Sequence, residues 1–125
     1  MKTYPAVFHY DEGSYWVEFP DLEGCFSDGE TIEEAAVNAA EALGGYLCSL
    51  MDRGLEIPTA SSINDIKEPE SGFRSIVTAD PYAFKKNTKA VKKTLTIPQW
   101  LNDEAEQHNI NFSQVLQKAL IAIIQ

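Results

Sequence analysis

The feature that most constrains the fold of this chain is an apolar carboxy-terminal segment that is too short to bury itself. Residues 91–125 read VKKTLTIPQWLNDEAEQHNINFSQVLQKALIAIIQ. The last helix predicted in this segment is apolar over a wide arc, through Phe112, Val115, Leu116, Ala119, Leu120, Ile123 and Ile124. A unit of this length cannot build a hydrophobic core of its own. We therefore expect two copies of the chain to share one interior here.

The first residues of the segment predict a β-strand with one apolar and one polar face, because alternate strand residues point to opposite sides. The more apolar face carries Val91, Lys93, Leu95 and Ile97. The polar face carries Lys92, Thr94 and Thr96. In the expected homodimer, the strands of the two copies pair into one antiparallel ribbon.

Two short helices are predicted after this strand. Pro98 fits the first turn of a helix, where its missing N–H is not needed. The apolar side of that helix carries Trp100, Leu101 and Ala105, and the sequence HNIN ends it. Asn111, with Gln114 three residues later, is expected to open the second helix. The dimer would then have four helices interlocked beneath its ribbon.

The first eighty residues predict a β-β-β-α-β domain, so the whole chain is expected to have an α+β fold. The strands are placed at 4–10, 14–19, 25–29 and 72–80, and the helix runs from Thr31 to the C-cap at Gly54. Thr31 and Glu34 have the spacing of a capping box. The buried stripe of the helix is predicted as Ile32, Ala36, Ala39, Leu43, Leu47 and Leu50. The adjacent Gly44 and Gly45 suggest close approach to the sheet or a kink.

Charge is distributed unevenly along the chain. Residues 1–80 have four basic and sixteen acidic residues, a formal charge of −12, whereas residues 81–125 have six lysines and three acids, +3; together they give −9. A basic linker is predicted at 81–90, between a domain at 1–80 and one at 91–125. Such asymmetry indicates two surfaces for two kinds of partner.

The chemistry available to the chain is limited. No apolar run has the length of a membrane span, and no signal peptide is recognisable at the start. Cys25 and Cys48 lie far apart in sequence and predict two reduced, buried thiols in a cytoplasmic protein. His9 and His108 have no nucleophile beside them and are interpreted as structural. We expect no cofactor, no metal and no catalytic residue.

The acidic stretch FPDLEGCFSDGETIEEA, residues 19–35, allows three interpretations. It could hold a metal for acid/base chemistry, present a surface to a basic partner, or serve only as turn and helix cap. A nuclease centre would need three carboxylates that converge from neighbouring strands and the helix. The strand SYWVEF offers mainly bulk on its inward face. A binding surface at Asp21, Glu23, Asp28 and Glu30 is therefore preferred to catalysis.

The carboxy-terminal pattern KKTLTIPQWL…NFSQVLQKAL resembles the ribbon-helix-helix DNA-binding fold. The resemblance implies that the ribbon enters the major groove of operator DNA, with Lys92, Thr94 and Thr96 facing the bases. It also implies that Asn111 to Ser113, at the start of the second helix, bind a phosphate through backbone N–H groups. Many members have an arginine in place of Thr94 or Thr96, and these threonines could also be plain strand formers.

The amino-terminal sequence YPAVFHYDEGSYWVEFPDLEGCFSDGETIEEAAVNAAEAL resembles the HicB-type antitoxins. This resemblance implies a partial ribonuclease-H-like domain that binds a HicA-type toxin, a small basic ribonuclease, and a second domain that represses the shared operon. The sequence thus predicts an antitoxin with two partners, the toxin and operator DNA. Two alternatives stay open: a transcriptional regulator whose first domain senses a small ligand, and a nuclease.

Overall fold

The computed structural model describes residues 1–86 and 88–124. Asn87, in the predicted linker, and Gln125, at the end of the predicted second domain, lie outside the described residues. The chain divides into two compact units, Met1–Thr88 and Lys89–Gln125. Each unit is described by itself below.

The first unit contains a four-stranded sheet with one long helix. The strands are β1 Lys2–Asp11, β2 Ser14–Glu18, β3 Phe26–Gly29 and β4 Gly72–Ala79, and the helix is α1 Ile32–Asp52. The strand order is β3-β2-β1-β4, and every neighbouring pair is antiparallel. The predicted β-β-β-α-β order is thus confirmed for this unit.

The turn between β1 and β2 explains their register. Glu12 and Gly13 have positive φ angles of 48° and 83°. A two-residue hairpin turn with positive φ at both positions matches the twist of the strands that it joins. Asp11 therefore pairs with Ser14, and the pairing continues to Val7 with Glu18.

Both ends of α1 are capped by the residues that the sequence indicates. The Thr31 hydroxyl accepts a hydrogen bond from the backbone N–H of Glu34 at 3.1 Å. At the other end Gly54 has a φ of 67°, and the N–H of Leu55 bonds to the carbonyl of Leu50 at 2.9 Å. Glycine adopts this left-handed conformation without the steric cost of a Cβ atom.

The buried stripe of α1 differs from the prediction at its start. Ile32 and Ala36 are exposed, and Ala35 is fully buried. The reason is a close contact with the end of β3: a Cβ atom on Gly29 would lie 2.4 Å from the backbone nitrogen of Ala35. From there the stripe follows Ala39, Leu43, Leu47 and Leu50 as predicted. These side chains pack on the sheet residues Tyr4, Ala6, Phe8, Val17, Val77 and Ala79.

The loop between α1 and β4 is fixed to the unit at two points. The carboxylate of Asp21 accepts hydrogen bonds from the N–H and hydroxyl of Ser61, at 2.9 and 2.6 Å. Arg74 donates to the carbonyls of Ile63 and Ile66, at 3.0 and 2.7 Å. Arg74 lies on the sheet face opposite the helix, so these bonds hold the loop against that face.

The first unit continues into the predicted linker. Pro81–Phe84 form a 3₁₀ turn, and Lys85 Nζ lies 2.6 Å from Asp52 Oδ1. The Phe84 ring occupies the space beside Gly44, where a Cβ atom would come within 2.2 Å of Cε2. The close approach at Gly44 is therefore made by Phe84 and not by the sheet. The connection between the two units therefore begins later than residue 81, where the sequence predicted it.

The second unit contains α2 Gln99–Gln107 and α3 Phe112–Ile124. Asn111 caps α3 as predicted, accepting a hydrogen bond from the N–H of Gln114 at 3.1 Å. Pro98 is the cap before α2 and not a residue of its first turn. Residues 91–97 form no strand, unlike the prediction; the predicted strand would take its hydrogen-bond partner from a second copy. Among the described residues of this unit, none is buried.

Candidate protein-binding and nucleic-acid-binding surfaces

The four acidic residues predicted to bind a partner do not form one site. Asp21 is half-buried, and its carboxylate holds the loop at Ser61. The Glu23 carbonyl accepts a hydrogen bond from the Tyr46 hydroxyl at 2.8 Å, which attaches the turn to α1. The Glu23 side chain itself is exposed. Asp21 thus has a structural role, and Glu23 offers an isolated charge.

Asp28 and Glu30 do come together. Both line an open surface depression at the start of α1, which they share with Glu34, Ser14 and Tyr15. The backbone here is fixed, since the Asn38 side chain donates to the Asp28 carbonyl at 2.9 Å. This depression is open and acidic, while the Asp28 side chain itself lies on the sheet face of its cross-strand partner Trp16. Of the four predicted residues, Asp28 and Glu30 are thus the two that the structure brings together.

Potential metal ligands and two thiols lie within the described ranges. There, no group of three His, Cys, Asp or Glu side chains is placed to hold a metal ion. Cys25 and Cys48 are both free and buried. Burial raises the pKa of the Cys25 thiol to about 11, so at neutral pH the thiol is protonated and a poor nucleophile.

The sequence did not point to a second surface, on the sheet face opposite α1. His9 pairs with Trp16, Trp16 with Asp28, and Glu18 with Phe26. Residues paired across antiparallel strands share one face, and Phe8 and Val17 face α1 on the other side. We call this group the open-face patch: His9, Trp16, Glu18, Phe26 and Asp28. Strand alternation alone could have indicated it, had the exposed positions been compared across the three strands.

Aromatic and charged groups are ordered within the open-face patch. The His9 ring stacks on the Trp16 ring, with centroids 3.9 Å apart and planes at 10°. The Nε2 atom of His9 lies 3.2 Å from Glu18 Oε1. Trp16 is 40% exposed and Phe26 61% exposed. The contact between His9 and Glu18 and the stack of His9 on Trp16 therefore position Trp16 at the surface, and Phe26 is exposed on the same face.

The residues predicted to contact DNA all lie in the second unit and are exposed. The extended segment turns Lys93, Leu95 and Ile97 toward α3, where they line a groove with Phe112, Ser113, Val115, Leu116 and Ala119. By alternation, Lys92, Thr94 and Thr96 lie on the opposite side of the segment. The structure thus places one of the two predicted faces, that of Lys93, Leu95 and Ile97, in a groove beside α3, and the DNA-facing role of the other face stays a prediction. Asn111 and Ser113 lie at the start of α3, with the Asn111 side chain engaged in its cap.

None of the helices in the described residues combines the length and the apolarity needed to cross a bilayer.

Comparison with known proteins defines the class first. The family model described as "HicB_like antitoxin of bacterial toxin-antitoxin system" matches residues 4–120, which is most of both units. The chain therefore belongs to the HicB-like antitoxin family.

Solved structures similar to the chain agree with this family. A toxin-antitoxin complex from Streptococcus pneumoniae matches 97% of this chain and 97% of its own, with 31% identity and a TM-score of 0.63. The antitoxin HicB of Burkholderia pseudomallei matches over 100% of both chains, with 25% identity and a TM-score of 0.61. The HicA3 and HicB3 toxin-antitoxin complex matches 64% of this chain and 100% of its own, with 29% identity and a TM-score of 0.54.

Proposed function

We propose that this antitoxin binds and neutralises a HicA-type ribonuclease through its first unit and represses its own operon through a dimeric second unit. The observation that carries the first part is the charge of residues 1–80, formally −12. A ribonuclease must present a basic groove to RNA phosphates, and an acidic domain can occupy that groove. Two of the similar structures are complexes of toxin with antitoxin, which supports a toxin partner.

The second part is carried by the exposed apolar surface of the second unit. Trp100 is 64% exposed, Ile123 78% and Ile124 64%. Side chains of this size on one short unit indicate a surface that is covered in the working protein. A second copy covers it in a ribbon-helix-helix dimer, and residues 91–97 of the two copies then supply each other's missing strand partner.

Pairing of these strands would give the operator-binding surface. The ribbon presents Lys92, Thr94 and Thr96 to the major groove, since they lie on the side away from α3. Lysine donates to guanine O6 or N7, and threonine donates, accepts or contacts a thymine methyl. The start of α3, at Asn111 and Ser113, positions the dimer on a phosphate.

Finer parts of the proposal follow from the family resemblance. The first unit is taken as a partial ribonuclease-H-like domain, which the β-β-β-α-β order supports. The protein acts in the cytoplasm, where its operon and RNA are, and inhibits by occlusion without catalysis. Its domains correspond to 1–80, a basic linker and 91–125, with the structural boundary closer to residue 88.

The proposal is tested with the full chain and the small basic protein encoded beside it. Addition of the antitoxin should stop RNA cleavage by that protein, and a gel shift should detect binding to the upstream promoter. Lys92→Ala should weaken promoter binding by about 1–3 kcal/mol, and Lys67→Ala, in the loop of the first unit, should leave it unchanged. If no neighbouring basic ribonuclease is inhibited but promoter binding persists, the ligand-sensing regulator replaces the antitoxin.

A further inference from the structure

We propose that the open-face patch, more than the acidic depression beside Glu30 and Glu34, is where the basic ribonuclease docks, with Trp16 as its anchor. This inference rests on the proposed function and assigns its contact surface. The patch is His9, Trp16, Glu18, Phe26 and Asp28, as defined above.

Trp16 and Phe26 are not needed to complete the core of the first unit. The core lies on the other face of the sheet, where α1 covers Phe8 and Val17. Large aromatic side chains at the surface, each 40% exposed or more, therefore have another use. Tryptophan is the residue type most enriched among those that dominate the energy of protein interfaces.

The anchor is held in place before any partner arrives. His9 stacks on Trp16 at a centroid distance of 3.9 Å and contacts Glu18 through Nε2. A side chain that is already fixed loses less conformational entropy on binding, so more of its contact energy appears as affinity. His9 acts here as a positioning residue.

The acidic residues around Trp16 indicate that the partner bound at the patch is basic. Asp28 is the cross-strand partner of Trp16, and Glu18 lies two residues from Trp16 on the same strand. A depression beside Trp16 is also lined by Asp11 and Glu70. An arginine or lysine of the partner can lie on the indole face and pair with these carboxylates. A second copy of this unit would bring a like-charged surface instead, which argues against self-association here.

The rest of this sheet face is less suited to a basic partner. Next to the patch, Arg74 ties the loop at Ile63 and Ile66 to the face, and Val7 is buried. Further along, Ile76 is 60% exposed, but its cross-strand partner is Pro5 and the next pair is Thr3 with Thr78. Only at the patch do exposed aromatics and carboxylates coincide.

The test measures the affinity of the full-length antitoxin for the small basic protein encoded beside it, by calorimetry. Trp16→Ala should raise Kd about 30-fold or more, as expected of an interface anchor. Phe26→Ala and Asp28→Lys should each raise it by about tenfold. Matched controls lie on exposed positions of α1: Val37→Ala for the apolar changes and Glu41→Lys for the charge reversal. Both controls should stay within about threefold of wild type.

The possible results distinguish a failure of the proposed contact surface from a failure of the proposed function. If wild type binds tightly and Trp16→Ala and Phe26→Ala bind equally well, the patch is wrong and the proposed function stands, whatever Asp28→Lys does, because Asp28 also lines the depression with Glu30. If wild type does not bind, the proposed function fails and this inference with it. If Trp16→Ala instead lowers the mass of the free antitoxin in light scattering, the patch joins copies of the chain and the inference is overturned. If Trp16→Ala unfolds, Phe26→Ala decides.

Discussion

The two units of this chain differ most in where they keep their apolar side chains. In the first unit Leu43 and Leu47 have no solvent exposure, whereas in the second Ile123 is 78% exposed and Leu120 50%. Both units contain helices with clear apolar stripes, so the sequence pattern does not separate them. The difference is the sheet, which offers α1 a surface within the same chain. The described residues of the second unit include no such surface, and we propose that a second copy completes it.

The largest expected effect comes from removing one leucine in each unit. Leu43→Ala should lower the free energy of unfolding of the first unit by about 2–5 kcal/mol, because it leaves a cavity in the core. The loss should not depend on protein concentration. Leu120→Ala should instead weaken the dimer, so its effect should grow as the protein is diluted. Urea unfolding at two protein concentrations, followed by circular dichroism, measures both effects. If both variants lost equal stability at both protein concentrations, the two units would not differ in the way described.

Substitutions of two adjacent glycines test where the first unit ends. Gly44→Ala should displace the Phe84 ring, and the lost packing should outweigh the helix propensity gained, for a net cost of about 1 kcal/mol. Gly45→Ala meets only a contact at 3.9 Å from Phe84 and should stabilise α1 by up to about 1 kcal/mol. Thermal unfolding of the two variants gives the difference. Equal stabilisation by both would show that Phe84 does not belong to the first unit.

Added salt should weaken DNA binding by the second unit more than toxin binding by the first. Promoter binding by the second unit should fall with a log–log slope of about −0.9 for each phosphate that is neutralised. Gel shifts of the wild type and Lys89→Ala at several salt concentrations measure this slope, and the variant should lose about one contact. Toxin binding at the open-face patch, anchored by aromatic groups, should decline less steeply. A flat slope for DNA would contradict the role of the lysine-rich segment.

The smallest expected effect is a loss of stability of the first unit at alkaline pH. This unit contains both cysteines. Burial raises the pKa of Cys25 to about 11, above its ordinary value of 9.0. The contribution of the neutral thiol to stability is therefore complete below pH 9 and is lost as the pH rises from 9 through 11. Burial also raises the pKa of Tyr4, in the same direction. In Cys25→Ala, unfolding between pH 8 and 11 should depend less on pH than in wild type.

Most of the fold could be predicted because local chemistry decides it. Thr31, Gly13 and Gly54 specify a cap, a hairpin turn and a helix end through their own hydrogen bonds and φ angles. The shift of the helix stripe from Ala36 to Ala35 could not be predicted, because it depends on the contact with Gly29 across the chain. The role of Phe84 was missed for the same reason.

The candidate sites show the same division. The two-faced segment at 91–97 is visible in the sequence, since alternation needs no knowledge of the rest of the fold. Asp21 looked equivalent to Asp28 in sequence, yet one holds Ser61 and the other lies free beside Trp16. The open-face patch combines residues of three strands, and only their register brings them together.

The sequence by itself determined the elements of the first unit, their order and the uneven charge, and it predicts that residues 91–125 need a second copy, because these follow from local propensity and apolar area. The tertiary structure alone decided which carboxylates are free, where the first unit ends and which aromatics face solvent. Those properties depend on strand register and on contacts between residues far apart in the chain, which no local pattern encodes.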